Sequence, residues 1–90
     1  MDSIVFIDNL PSIDLHGYTR DFALIAINEF INDSIKLNNE FIVIVHGKGS
    51  GILKESCLSF LKKNKYVKDY KIWYMNDGAT IVQLDKKYFK

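Results

Sequence analysis

Two short stretches of this 90-residue chain gather both histidines, a carboxylate and a lysine among four of the five glycines: Asp14-Leu15-His16-Gly17 and His46-Gly47-Lys48-Gly49-Ser50-Gly51. In the second, the alternating glycines remove side chains that would keep a ligand from the backbone. A helical pattern beginning at Ile52 aims free N–H groups into the same space. Such a turn suits an anion, and phosphate is the obvious guest. Lys48 adds a mobile cation, and His46 adds a group that titrates near neutrality. The same residues also read as a tight strand-to-helix connection with His46 hydrogen-bonded in a crowded corner. Neither nucleotide fingerprint fits, because a P-loop needs a longer gap before Gly-Lys-Ser/Thr and a dinucleotide loop needs one more residue before its third glycine.

The elements that must position these groups follow from periodicity. Phe41 to Val45 is β-branched and aromatic without interruption, as in a strand buried on both faces. Ser12 to His16 predicts a shorter strand, with Ile13 and Leu15 on one face and Asp14 and His16 on the other. Thr19 is placed to cap a helix, with Asp21 in its first turn, and Leu24, Ile27, Ile31 and Ile35 carry its apolar stripe to about Leu37, where Asn38 and Asn39 stop it. Leu53, Cys57 and Leu61, with Phe60 beside them, mark a second helix that Ser50 is placed to cap. Tyr66 to Met75 alternates as a half-buried strand with Tyr70, Ile72 and Tyr74 on one face and Lys71 and Trp73 on the other. Asn76-Asp77-Gly78 is turn chemistry, and Ala79 to Leu84 completes a hairpin. The order is β-α-β-α-β-β. Right-handed crossovers make the first three strands parallel, giving an α/β two-layer sandwich with a mixed four-stranded sheet and both helices on one face.

Composition bounds the rest. A chain with 48% hydrophobic residues and a net charge of +1 predicts one compact domain over residues 12–85, with an extended arm at 1–11 and a short polar tail at 86–90 that frays. A ligand is then expected at a surface, and near-neutrality leaves any nucleic-acid argument to local clustering. The lone Cys57 falls in a helical pattern and reads as a buried reduced thiol, which with the absence of a signal-like start or a membrane-length apolar run points to a soluble cytoplasmic protein. A monomer is expected.

In this topology the ends of the first two strands lie at one sheet edge, so that Asp14 and His16 face His46 and Lys48. Two imidazoles, a carboxylate and a cation at a helix start are groups that phosphodiester cleavage uses: a base, an acid and positive charge for the crowded phosphorane. The motifs also match a family. Ile13-Asp14-Leu15-His16-Gly17 resembles the Leu-Asp-Leu-His-Gly motif of Smr (small MutS-related) domains, and His46 to Gly51 resembles their His-Gly-Lys-Gly-Thr-Gly motif. The resemblance covers roughly Ile13 to Leu84. It implies the same two-layer fold and an endonuclease or nucleic-acid-binding role, in DNA repair and recombination or in translation quality control.

On that basis His46 and His16 share acid and base work, Lys48 and the Gly47 to Gly51 backbone with Ser50 and Lys54 hold the phosphate, and Asp14 orients a histidine or binds Mg²⁺. Asp14 also reads as a plain hydrogen-bond partner of a neighbouring loop. The family's third pattern, Gly-Gly-x-Gly-x-Thr, aligns with Met75-Asn76-Asp77-Gly78-Ala79-Thr80, where only Gly78 and Thr80 keep it. Asp77 there would bring negative charge near a phosphate path, and Lys54, where the family often has Arg, lacks a bidentate fork. Expected partners are DNA or RNA, with the ribosome among them. The alternative function is a non-catalytic module that binds the same targets.

Overall fold

The computed structural model describes residues 9–49, 51–73 and 78–90. The arm at Ile4 to Ile7, Ser50 as a helix cap, Tyr74, and the third-pattern residues Met75, Asn76 and Asp77 lie outside them. The elements are β1 (Ser12–Asp14), α1 (Arg20–Lys36), β2 (Phe41–Val45), α2 (Ile52–Lys63), β3 (Val67–Ile72) and β4 (Ala79–Leu84), in the predicted β-α-β-α-β-β order. Strand order in the sheet is β1-β2-β4-β3. β1 runs parallel to β2, while β4 is antiparallel to both β2 and β3, so the first three strands share one direction.

Strand alternation decides which face carries the core. Ile42 and Ile44 of β2, Val82 and Leu84 of β4, and Leu15 just beyond β1 pack with Ala23, Ile27, Ile31 and Ile35 of α1 and Cys57 and Leu61 of α2. Both helices therefore lie on one face of the sheet. Val43, Ala79 and Ile81 form a smaller cluster on the other face, flanked by Leu10, Phe41, Val45 and Trp73. Cys57 is fully buried, and that burial pushes its thiol up from 9.0 to about 12. No helix among the described residues is long and apolar enough to cross a membrane.

Three local departures have physical causes. β1 ends at Asp14 rather than His16, because the Asp14 carboxylate accepts the His16 backbone N–H at 2.9 Å and turns the chain, and the Tyr18 N–H closes on the Leu15 carbonyl at 3.0 Å. β3 carries a bulge between Val67 and Asp69, which puts Val67 and Tyr70, three residues apart, against the same core. The closing residues fold back on the domain. Lys86–Tyr88 form a 3-10 turn that Asp85 caps, Tyr88 and Phe89 pack on the core, and Asn38 holds Lys90.

Candidate phosphate-binding site

β2 delivers His46 to the C-terminal edge of the sheet. By alternation its side chain follows Ile44 onto the helix-covered face, where Thr80, paired with Ile44 across β2 and β4, already sits. The imidazole is buried, with 4% of its surface exposed, and both ring nitrogens are engaged: Nδ1 lies 3.1 Å from the Gly47 carbonyl and Nε2 lies 2.8 Å from Thr80 Oγ1. A carbonyl can only accept, so Nδ1 carries a hydrogen, while the Thr80 hydroxyl can serve Nε2 as donor or acceptor. Of the two sequence readings of His46, the hydrogen-bonded corner describes this geometry. The Gly78 carbonyl completes it by accepting the His46 and Gly47 backbone N–H groups, each at 2.9 Å. Gly78 and Thr80, the residues that keep the third pattern, are thus the ones that hold the second motif.

Beyond His46, the glycine turn opens a hollow of about 190 Å³ lined by His46, Gly47, Lys48, Gly49, Gly51, Ile52, Leu53 and Lys54. The start of α2 differs from that of α1. Thr19 caps α1 by accepting the Phe22 N–H, whereas the cap position of α2 is Gly51, in the left-handed conformation at φ 85° and with no side chain to accept. The first intrahelical bond runs from the Glu55 N–H to the Gly51 carbonyl. Ile52, Leu53 and Lys54 form the first turn of the helix, whose N–H groups point out of its start, and they border the hollow with Lys48. The Gly47 N–H, committed to Gly78, is not among the donors offered to a ligand.

Gly49 is informative by elimination. Its φ is not in the left-handed range, and a Cβ built there meets no atom within 4 Å. Among the described residues neither a left-handed φ nor packing accounts for glycine at that position, and its backbone is open on that side.

The first motif stands apart from the second. Leu15 donates its N–H to Val45 at 2.8 Å, which ties the end of β1 beside the end of β2. Asp14 pairs with Val45 on the face away from the helices, opposite to the side on which His46 is buried. Asp14 and His16 are exposed, and among the described residues no hydrogen bond or ion pair joins either of them to His46. Asp14 Oδ1 is committed to the His16 backbone, and the described residues hold no group of three or more His, Cys, Asp or Glu side chains. Asp14 would supply one carboxylate to Mg²⁺, and nothing around it in the described residues builds the rest of a cage. Sequence reasoning missed Arg20 and Ile52 at this edge. Arg20 Nε donates to Ser56 Oγ at 3.1 Å and lines a groove that runs along α2 from Ile52 to Lys63, and Ile52 also borders the glycine hollow.

Comparison with known proteins agrees with this arrangement. The Smr domain model matches residues 13–85. The Endonuclease MutS2 of Caldanaerobacter subterraneus subsp. tengcongensis is 35% identical over 80 residues, which is 86% of this chain and 10% of that protein. The Endonuclease MutS2 of Clostridium botulinum (strain Eklund 17B / Type B) is 37% identical over 75 residues, 80% of this chain and again 10% of that protein. The chain thus spans about a tenth of the length of these curated relatives. The crystal structure of the Smr domain of Thermus thermophilus MutS2 superposes with a TM-score of 0.83 at 25% identity, covering 84% of this chain and 99% of that one. YdaL, a stand-alone small MutS-related protein from Escherichia coli, shares the fold with a TM-score of 0.79 at 21% identity over 83% of this chain and 64% of its own. With the family match running from the residue before Asp14 to the residue after β4, and so across both motifs and the strand that supports the second, this chain belongs to the Smr domain family.

Proposed function

We propose that this domain binds nucleic-acid phosphodiesters in the glycine hollow and cleaves them as an endonuclease with little sequence preference. The observation that carries the binding half is the start of α2 on Gly51, which has no capping side chain: the first turn of the helix, with Lys48 and Lys54, lines an open hollow beside Gly49, where a Cβ would meet nothing within 4 Å. The names of the MutS2 relatives, which call those proteins endonucleases, support the chemical half. DNA and RNA both present the required phosphate, whether in repair and recombination or on the ribosome.

The two histidines divide the labour unequally in this reading. His46, buried with both nitrogens engaged by Gly47 and Thr80, fixes the turn and presents neither nitrogen to a ligand. His16 is exposed and its ring has no partner among the described residues, so it carries the proton transfer. Asp14 holds the turn that presents it. In RNA the neighbouring 2′-hydroxyl loses its proton to His16 and attacks phosphorus, the P–O5′ bond breaks, and the 5′-oxygen leaves with a proton from His16 or water, giving a 2′,3′-cyclic phosphate and a 5′-hydroxyl, while the helix start and the lysines stabilise the phosphorane.

His16→Ala is therefore expected to abolish cleavage of labelled structured RNA or supercoiled plasmid while thermal unfolding is unchanged, since the lost ring is exposed. A variant that cuts at the wild-type rate would remove His16 from the mechanism. The enclosure of His46 specifically favours a second reading, a module that binds without cutting. Absence of cleavage by the wild type, with a salt-sensitive mobility shift, is the result that reading expects.

A further inference from the structure

Large apolar side chains stand exposed beside this edge without a partner. Phe22 is 67% exposed, Ile52 58% and Tyr18 45%. Tyr18 and Phe22 share a hollow of about 360 Å³ with Gly17 and Thr19, directly after His16 in the chain. Arg20, between the two aromatics in sequence, lines the groove that reaches Ile52, and Ile52 also borders the glycine hollow. Arg20 is held at Nε by Ser56, which leaves its terminal nitrogens to project from a fixed stem. Glu55 shares that groove and forms no ion pair with Arg20.

We infer that Tyr18, Arg20 and Phe22 extend the site into a track for an unpaired nucleic-acid strand. The phosphate at the glycine hollow is followed by a neighbouring phosphate at Arg20, and the bases stack on Phe22 and Tyr18. This inference rests on the phosphate reading of the glycine hollow. Three features support the occupant. The aromatics flank Arg20 in the chain, and Arg20 lines the groove with Ile52, which also borders that hollow. The charge beside them complements a phosphodiester chain. Exposed rings at one end of a helix offer π-faces that paired bases, already stacked in a duplex, cannot occupy.

The test is fluorescence anisotropy with a short labelled strand and with the same strand annealed to its complement, in RNA and DNA versions. Phe22→Ala is expected to weaken binding of the unpaired strand about tenfold, Phe22→Tyr to retain it, and duplex binding to be untouched by either. Phe22 is too exposed for its truncation to threaten the fold. Arg20→Ala should lower strand affinity and its salt dependence together. Lys48→Ala separates this inference from its foundation. Loss of binding in Lys48→Ala with wild-type affinity in Phe22→Ala and Tyr18→Ala would overturn the stacking track and leave the phosphate site standing. Wild type that binds neither strand nor duplex in a salt-sensitive way would overturn both. Equal affinity for strand and duplex would also overturn the track.

Discussion

His46 shows how a residue's type and its surroundings carry different information. Its position after an apolar strand and before alternating glycines marks it as a chemical group. Its burial depends on Thr80, 34 residues away, and on the register that sets Thr80 opposite Ile44. No local pattern contains that pairing, so acid–base chemistry and a hydrogen-bonded corner both fit the sequence. The consequence can be measured. Thr80→Val preserves shape but strips the hydroxyl, leaving His46 Nε2 buried without a partner, which costs about 1–3 kcal/mol. Urea denaturation should show a lower midpoint with an unchanged slope, and an unchanged midpoint would mean that the ring does not depend on Thr80.

At the scale of elements, the two helix starts separate structure from function. Thr19 closes α1 with its own side chain, as its sequence predicts. α2 begins on Gly51, and the glycines around it answer different demands. Gly51 has a left-handed φ of 85° with open space around it, so Gly51→Ala meets backbone strain and no clash, costing about 1–2 kcal/mol. Gly49 has neither constraint, so Gly49→Ala is expected to keep wild-type stability and to weaken oligonucleotide binding. Thermal unfolding and binding titrations on both variants check this, and a Gly49→Ala protein that binds normally would remove the argument for close approach. The bounds of α1, β2 and β4 were legible because their apolar periods are long or uninterrupted. The early end of β1 and the bulge in β3 were not, since one is set by a carboxylate folding back on a backbone N–H and the other by the β4 register. The last residues misled for a related reason: Lys86, Lys87 and Lys90 advertise solvent, while Tyr88 and Phe89 between them reach the core.

For the molecule as a whole, crossover handedness made the parallel direction of three strands readable, and the Asn76-Asp77-Gly78 signal made β3 and β4 neighbours. That β4 enters between β2 and β3 was not readable from a hairpin alone. Its composition agrees with the central place, because five of its six residues are buried. The same topology sorts the charges that a net of +1 conceals. Lys36 ends α1, Lys62 and Lys63 end α2, and Lys86 pairs with Glu40 at 3.5 Å just before β2 begins. Lys36, Lys62 and Lys86 lie at the end of the sheet opposite the glycine hollow, where Lys48 and Lys54 stand, while Lys63 shares the groove of Arg20. If the strand binds as inferred, three cations meet phosphates, and the logarithm of affinity for an unpaired strand should fall against that of salt with a slope of about −2. Lys62→Glu with Lys65→Glu should leave both affinity and slope as they are, despite removing much of the most basic run in the sequence. A far steeper slope, or binding lost in that double variant, would transfer recognition to the lysine-rich end and make the glycine hollow a lesser contact.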